Sequence, residues 1–277
     1  MPRVMDDASY DLTSPSNPRI KDVVGLRKRR TRDARETLVV EGYREVRRAL
    51  DNGYALHTLF AAPEWFLGEN EAALIEDARA GGAQVFTVAK TAFARMSYRD
   101  RPDGLLGLGP YLAQPLTAWT DLPEAPLILV AEAIEKPGNL GTMLRSADAA
   151  GADAVLVCDA VTDVHNPNVV RASVGTLFTV PVYTATSEDA LAWLAERGIR
   201  SFAATPHAES LYTDVNLREG AACWIGTEQY GLQESTMARC NERVRIPMAG
   251  QADSLNASAS GTLMLFEAIR QRGLAAS

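Results

Sequence analysis

Apolar positions along the chain alternate between short continuous runs, typical of strands, and spaced positions, typical of amphipathic helices. In the first third, RETLVVEGYREVRRALDNGYALHTLFAA predicts a strand, a helix ending near Asn52-Gly53, and a second strand. The segment AALIEDARAGGAQVFTVAKTAFARM then predicts a helix, a Gly-Gly turn, a strand and a further helix. This order predicts a small α/β domain.

The stretch after this unit has little periodicity and few charges. It is punctuated by Pro110, Pro115, Pro123 and Pro126, which break regular structure. We therefore expect an N-terminal domain over 1–112, a linker over 113–125 and a second domain over 126–277.

Strands and helices alternate regularly in the second domain. The predicted order is strand LILVAEAI, helix 139–150, strand AVLVC, a helix around NVVRASVGTLF, strand VPVYTA, helix SEDALAWLAERG, strands RSFAAT, ACWIG and RVRIPM, and helix 255–272. Such alternation predicts an α/β fold with a mostly parallel sheet covered on both faces. Ligands of these sheets bind beyond the carboxyl ends of the strands, so the loops there are candidate sites.

The final helix has signals at both ends. Asp253 or Ser254 can act as its N-cap and Gly273 as its C-terminal cap. Asn256 is a poor helix former, and capping by Ser254 leaves it unexplained. The residues predicted to face the core are Leu255, Ala259, Leu263, Phe266 and Ile269.

The composition of the 277 residues is that of an ordinary globular protein, with 47% hydrophobic and 23% charged residues. Cys158, Cys223 and Cys240 show no C-x-x-C spacing, which favours a reduced, cytoplasmic location and disfavours a zinc cluster. No apolar run reaches the roughly 18 to 20 residues of a membrane span, and no signal peptide is evident. We expect a cytoplasmic protein without a metal or a membrane association.

Charge is unevenly distributed. The net charge of −7 disfavours a nucleic-acid partner, yet residues 21–48 carry ten basic and five acidic side chains. This segment is either a solvated helix face or a patch that binds phosphates, and its arginine content favours the second interpretation.

The stretch KPGNLGTMLRSADAAGADAV combines a glycine turn with an arginine in a small, apolar helix. The G-x-x-G spacing of Gly138 and Gly141 matches neither a dinucleotide fingerprint nor a P-loop, although Asp159, about 20 residues on, would suit a nicotinamide cofactor. We expect Arg145 to be buried, and a buried guanidinium needs an anion, which is either a carboxylate of the protein or a substrate phosphate.

Two further stretches follow predicted strands. ACWIGTEQYGLQES places Glu228 between the turns at Gly226 and Gly231, where it is either part of a surface loop or positioned to hold an arginine or a hydroxyl. RIPMAGQADSLNAS leads into the last helix.

Taken together, NLGTMLRSADAAGADAV, RASVGTLFTVPV, WIGTEQYGL and RIPMAGQADSLNAS resemble the ordered motifs of the SpoU (TrmH-type) RNA 2′-O-ribose methyltransferases over about 125–272. The early RETLVVEGYREVRRALDNGYALHTLF is similar to the RNA-binding domain that precedes the catalytic domain in many members. The resemblance implies S-adenosyl-L-methionine as cofactor, structured RNA as substrate, a trefoil-knotted catalytic domain and a homodimer with active sites at the subunit interface.

The resemblance also assigns residues. Matching the catalytic positions are Asn139, Arg145, Glu228, Ser254 and Asn256. Matching the cofactor-contacting positions are Thr205, Gly226, Ile246, Met248 and Leu255. The basic residues expected to contact RNA are Arg27, Lys28, Arg29, Arg30, Arg32, Arg35 and Arg171.

The sequence departs from the family pattern at two places. Thr227 stands where an asparagine is usual, and EKPG precedes Asn139 where an aspartate often precedes the proline. We expect Arg145, fixed by Asn139 and Glu228, to hold the phosphate beside the target ribose, since a guanidinium is a poor base. The substrate we expect first is 23S ribosomal RNA; the alternatives are transfer RNA and a non-catalytic RNA-binding role.

Overall fold

The computed structural model describes residues 10–273 and divides the chain into two compact units. The helices are α1 (Pro18–Gly25), α2 (Arg29–Arg35), α3 (Tyr43–Asp51), α4 (Glu71–Ala80), α5 (Lys90–Met96), α6 (Pro137–Ala149), α7 (Pro167–Ser173), α8 (Ser187–Glu196), α9 (Glu234–Arg239) and α10 (Ala257–Arg272). The strands are β1 (Thr37–Glu41), β2 (Thr58–Ala61), β3 (Gln84–Thr87), β4 (Leu105–Pro110), β5 (Gln114–Pro115), β6 (Leu127–Glu132), β7 (Ala154–Cys158), β8 (Val182–Ala185), β9 (Arg200–Ala204), β10 (Ser210–Leu211), β11 (Ala221–Ile225) and β12 (Glu242–Arg245).

The first unit runs to Leu112 and is built on a four-stranded sheet of order β1-β4-β2-β3. Strand β4, absent from the sequence expectation, pairs antiparallel with both β1 and β2. Its Gly107 leaves room for Leu56, because a Cβ there would lie 2.9 Å from the Leu56 Cδ2 atom. Glycine at position 107 weakens the strand signal in the sequence, but it allows the sheet to pack against Leu56.

The first unit also includes His165–Phe178, a segment from the second half of the chain. Helix α7 packs on β1, and Nη1 of Arg48 donates a hydrogen bond to the Val174 carbonyl oxygen at 2.9 Å. Val174 adopts a left-handed conformation at φ 55°, which is rare for a β-branched residue. The sequence pattern puts this segment in the second domain, over 126–277, whereas its contacts belong to the first unit.

The second unit comprises Ala113–Val164 and the chain from Thr179 onward. Its eight strands form one sheet of order β10-β12-β9-β11-β6-β7-β8-β5, and each pair of neighbours is parallel. The parallel α/β sheet expected from the alternating pattern is therefore confirmed. Residues 113–125, expected to be a linker, contribute β5 and the buried Leu116 and Trp119 to this unit.

Helix α10 packs against α6 and the central strands β6 and β11. Gly273 ends it at φ 67°, as expected, but Asn256 is the N-cap in place of Asp253 or Ser254. The predicted inward stripe is wrong, because Leu263 and Phe266 are 36% and 45% exposed. The buried face carries instead Ala257, Ser258, Gly261, Met264, Leu265, Glu267 and Ala268. Apolar residues occupy both faces of α10, so their spacing alone did not identify the core side.

Between residues 10 and 273, none of the helices combines the length and the apolar character required to cross a bilayer.

Candidate active site

A cavity of about 350 Å³ lies at one edge of the large sheet, within the second unit. The strands β12, β9 and β11 are parallel neighbours, so their carboxyl ends meet there. The cavity is lined by 204–207, 225–232, Met237, Ile246, Met248, 253–255, Ala257 and Ser260. The structure thus brings together all the residues matched to cofactor positions, namely Thr205, Gly226, Ile246, Met248 and Leu255.

The cavity loop 226–232 is a tight hairpin. The Thr227 and Gly231 backbones exchange hydrogen bonds of 3.0 and 3.1 Å, and the Tyr230 N–H donates to the Thr227 hydroxyl at 3.0 Å. A Cβ on Gly226 would overlap the Gly231 carbonyl carbon, so only glycine permits this closure. Thr227, in place of the usual asparagine, uses its side chain to hold the turn.

A buried glutamate supports the end of this hairpin. Glu132, the last residue of β6, is 1% exposed, and its Oε1 accepts the Gln233 N–H at 3.1 Å. Burial raises the pKa of the Glu132 carboxyl, and the neighbouring charge of Asp159 adds to the increase. Sequence reasoning missed Glu132, whose only signal was an acid within the apolar run LILVAEAI.

Exposed polar groups gather at Glu228. Its carboxylate accepts hydrogen bonds from the Lys136 ammonium and from the Asn256 amide. The Asn256 amide also lies 3.2 Å from the Asn139 side-chain oxygen. Lys136 is the largest cause of a lowered pKa at Glu228, followed by Asn139. Three of the five expected catalytic residues therefore form one cluster, to which the structure adds Lys136 from the unusual EKPG stretch.

Asn256 serves the helix and the site at once. Its Oδ1 accepts the backbone N–H of Ser258 at 2.9 Å, which caps α10. Its amide nitrogen is thereby directed to Glu228 and Asn139. An aspartate could supply the cap but not the donor, which explains an asparagine at this position.

Arg145 does not match the burial expected for it. The side chain is exposed on α6, on the face that also carries Gly138, Thr142 and Ala149. Its guanidinium has no hydrogen bond or ion pair within residues 10–273, so Glu228 and Asn139 do not fix it. The apolar neighbours Met143 and Leu144 point to the opposite, buried face.

Ser254 lies on the wall of the cavity, and its predicted capping role is taken by Asn256. Asp159, the residue that suggested a nicotinamide cofactor, adopts φ 48° after β7 and accepts the Ser187 N–H at 3.3 Å, at the start of α8. A structural role thus accounts for Asp159.

The basic segment of the first unit is mixed. Arg32 is 2% exposed and donates to the Leu26 and Arg27 carbonyl oxygens at 2.7 and 3.1 Å, so its assignment to RNA contact is wrong. Lys28 and Arg30 are exposed. The remaining exposed members of the expected set are Arg27, Arg29 and Arg35, which have protein partners, and Arg171 on α7.

Groups of three or more His, Cys, Asp or Glu side chains arranged to hold a metal ion are absent from the described part of the chain. Cys158, Cys223 and Cys240 are free thiols, the first two buried.

An α/β unit with three strand-end loops enclosing a small-molecule cavity, preceded by a second α/β unit, defines a cofactor-dependent enzyme of two units. The chain belongs to the SpoU rRNA Methylase family, whose sequence model matches residues 126–266. Residues 17–107 match the MRM3-like substrate binding domain.

Individual relatives agree with this assignment. The 23S rRNA (uridine(2479)-2′-O)-methyltransferase of Streptomyces viridochromogenes is 32% identical over 90% of this chain and 88% of its own. An AdoMet-bound rRNA methyltransferase from Sinorhizobium meliloti has a TM-score of 0.86 at 30% identity, covering 96% of this chain and 98% of its own. An RNA 2′-O ribose methyltransferase has a TM-score of 0.80 at 40% identity, covering 95% and 99%.

Proposed function

We propose that this protein transfers a methyl group from S-adenosyl-L-methionine to a ribose 2′-hydroxyl of 23S ribosomal RNA. The observation that carries the proposal is the convergence of the cofactor-matched residues on one cavity whose wall also includes Glu228 and Ser254. The relatives named as 23S rRNA methyltransferases favour ribosomal RNA over transfer RNA. We propose a cytoplasmic location as well, because the relatives named as 23S rRNA methyltransferases act on ribosomal RNA.

The cavity suits this cofactor in size and lining. A volume of about 350 Å³ falls in the range of small-molecule sites, which are mostly apolar with a few polar groups. Ile246, Met248 and Leu255 supply apolar surface, while the 204–207 and 226–232 loops supply backbone groups. When bound, S-adenosyl-L-methionine supplies an electrophilic methyl group on a sulfonium.

Arg145 binds the phosphate next to the target ribose and stabilises negative charge as it develops on the 2′-oxygen. Its exposure and its lack of a partner within residues 10–273 support this role, because the guanidinium is available to an incoming anion. Methyl transfer would release S-adenosylhomocysteine and the hydroxyl proton, and that proton would pass to solvent at this exposed site. Alignment of the hydroxyl with the methyl group supplies most of the rate.

Glu228 orients its neighbours and does not act as the base. Its lowered pKa makes the carboxylate a weak proton acceptor near neutral pH. It holds the Lys136 ammonium and the Asn256 amide at the entrance to α10.

The protein forms a homodimer through the outer face of α10. Leu263 and Phe266 on this helix are 36% and 45% exposed, and a second copy would cover these large apolar side chains. Sedimentation equilibrium of Phe266→Glu should give a monomer, while Val161→Glu, at another exposed apolar position of the same unit, should remain a dimer. A dimeric Phe266→Glu variant would refute this interface.

The function is tested by mapping 2′-O-methylated positions in ribosomal and transfer RNA from cells with and without the gene. We expect one 23S position to lose its methyl group in the deletion strain and to regain it with the wild-type gene but not with Arg145→Ala. Loss of a methyl group from transfer RNA instead would identify transfer RNA as the substrate. Unchanged methylation in both RNAs would contradict the proposal. Purified protein, labelled S-adenosyl-L-methionine and a 23S transcript should reproduce the transfer.

A further inference from the structure

The 226–232 hairpin carries an aromatic side chain to which the site described above gives no role. Tyr230 belongs to the lining of the cavity of about 350 Å³, yet the residue is 77% exposed. An exposed ring is common on protein surfaces, so the groups around Tyr230 decide what it can do.

Hydrogen bonds hold the backbone of Tyr230 in one conformation. Its N–H donates to the Thr227 hydroxyl at 3.0 Å, and the backbones of Thr227 and Gly231 bond to each other across the turn. Gly231 adopts φ 69°, a left-handed conformation that suits glycine. The hairpin therefore presents the ring from a fixed position, and ordering the side chain on a ligand restricts only two torsion angles.

Groups that suit the rest of a nucleotide lie close to this hairpin. Glu228 accepts a hydrogen bond from the Asn256 amide, which lies 3.2 Å from the Asn139 side-chain oxygen. The first turn of α6 is therefore next to the hairpin, and the exposed Arg145 follows Asn139 by about 9 Å along the helix axis. A guanidinium for a phosphate and an aromatic ring for a base are the two contacts by which proteins commonly hold single-stranded RNA.

The geometry of methyl transfer indicates which base would meet the ring. In a ribose, C2′ carries the reacting hydroxyl and is bonded directly to C1′, which carries the base. A hydroxyl that reaches a methyl group in the cavity therefore brings its own base to the mouth of the cavity. The adenine of the cofactor is a poorer match, because cofactor sites bury most of their ligand whereas Tyr230 faces solvent.

We propose that the Tyr230 ring stacks on the base of the nucleotide whose 2′-hydroxyl is methylated, and that Thr227 fixes the turn that presents the ring. Unpaired bases of RNA are often stacked on aromatic side chains, and stacking tolerates every base because each has a π face. The proposal rests on the function proposed above and adds a residue that holds the target nucleotide without reading its identity.

The first test measures kcat/KM for methyl transfer to a 23S transcript, together with the affinity for S-adenosylhomocysteine. We expect Tyr230→Leu to lower kcat/KM for RNA by about tenfold, because leucine lacks a π face, and Tyr230→Phe to keep the wild-type value. Cofactor affinity should not change. The matched control is Tyr212→Leu, at a half-buried tyrosine of the same unit outside the cavity lining. Wild-type kcat/KM in Tyr230→Leu would overturn the proposal, and a loss caused by weaker cofactor binding would assign the ring to the cofactor instead.

The second test asks whether the ring acts on the target base itself. It compares an intact 23S fragment with one whose methylated nucleotide keeps its ribose but lacks its base. We expect removal of the base to lower kcat/KM by about tenfold in the wild type and by much less in Tyr230→Leu, in which the stacking contact is already lost. Equal losses in the two proteins would show that the ring and the target base act independently, which would overturn the assignment.

The role of Thr227 is tested by Thr227→Val, which keeps the shape of the side chain and removes the acceptor of the Tyr230 N–H. Its kcat/KM should fall less than that of Tyr230→Leu, because the backbone bonds to Gly231 remain, and Thr227→Ser should restore the wild-type value. Wild-type kcat/KM in a folded Thr227→Val variant, as judged by thermal melting, would overturn this role.

Two further measurements separate the proposal from its alternatives. Sedimentation equilibrium compares Tyr230→Leu with the wild type, and a smaller assembly would assign the ring to a contact between subunits and overturn the stacking. A wild-type protein that methylates no RNA would end the proposed function and this proposal with it. Transfer that proceeds equally well in Tyr230→Leu would leave the function standing and remove Tyr230 alone from substrate binding.

Discussion

The two glutamates beside the cofactor hairpin have the same side chain in opposite states. Glu228 is exposed, and Lys136 and Asn139 lower its pKa. Glu132 is 1% exposed, and burial raises its pKa. The Glu228 carboxylate is therefore favoured in its ionised form within an exposed polar cluster, while the buried Glu132 holds the end of the 226–232 hairpin. In the proposed function, the exposed cluster contributes to catalysis and the buried glutamate contributes to the shape of the cavity.

Two arginines show the same contrast between an exposed and a buried side chain. Arg145 sits in a helix of small and apolar residues yet is exposed without a partner among the described residues. Arg32 sits in a strongly basic segment yet is 2% exposed and bonded to backbone carbonyl oxygens. The composition of the surrounding segment therefore does not predict whether an arginine is buried. Burial depends on the position of each residue around its helix.

Removing the exposed guanidinium should have the largest effect. We expect Arg145→Ala to lower the single-turnover methylation rate by on the order of 10²–10³, the usual loss when a charge-stabilising donor is removed. Arg145→Lys should restore little, because an ammonium lacks the bidentate geometry.

The measurement is single-turnover transfer at saturating RNA and cofactor, with Arg197→Ala, at the residue that follows α8, as the control arginine. Near wild-type turnover in Arg145→Lys would show that the bidentate geometry is dispensable. A defect in RNA affinity alone would remove Arg145 from the chemical step.

The second prediction concerns the buried Gly226 at the start of the 226–232 hairpin. Gly226→Ala forces a Cβ into the Gly231 backbone, so we expect cofactor affinity to fall by about tenfold or more. The control is Gly250→Ala, where a Cβ meets nothing within 4 Å. Calorimetric titration with S-adenosylhomocysteine gives both affinities, and equal values would mean that the hairpin can open without cost.

The sequence predicted the main strands and helices of the second unit in their order, because each is a clear apolar run or an amphipathic segment, but it missed the short elements β5, β10 and α9. The five residues that the family resemblance matched to cofactor positions line one cavity, and their role in binding the cofactor stays a prediction. The trefoil knot and the dimer stay predictions from the family resemblance.

Other features depend on contacts far apart in the sequence. Gly107 in β4 makes sense only against Leu56, and α7 belongs with the first unit through Arg48 and β1. The outer face of α10 also carries large apolar side chains, Leu263 and Phe266, so the hydrophobic pattern alone does not identify the buried face of the helix. Contacts between residues that are distant in the sequence therefore override the structure that the local pattern predicts.

Glu132 gives a smaller, pH-dependent effect on stability. Its raised pKa means that the folded state binds the proton more tightly, so its stabilising contribution is complete below the unfolded pKa and is lost as the pH rises through the folded one. Glu132→Gln keeps an acceptor for the Gln233 N–H without the charge. We expect it to be more stable than wild type at pH 8 by about 1 kcal/mol, or roughly 2–4 °C in Tm, with little difference at about pH 4.5.

Differential scanning calorimetry across this pH range measures the difference, with the 75% exposed Glu196 changed to Gln as a control that should show no trend. A Glu132→Gln variant whose Tm difference from wild type is independent of pH would mean that the buried carboxyl does not titrate on unfolding.

The smallest effect should come from Lys136, which acts on the exposed glutamate alone. Lys136→Met removes the main cause of the lowered pKa at Glu228, so that pKa should rise and the carboxylate should be lost at a higher pH. In the wild type, the ion pair between Lys136 and Glu228 is complete above the ordinary pKa of a carboxyl group. It is lost as the pH falls through the lowered pKa of Glu228. Single-turnover rates of Lys136→Met and wild type should therefore agree at pH 8 and differ by about twofold near pH 5, because an exposed ion pair is weak. Lys136→Arg should follow wild type at both values. A rate ratio that does not change with pH would show that Lys136 acts on RNA binding alone and that Glu228 needs no cation to hold Asn256.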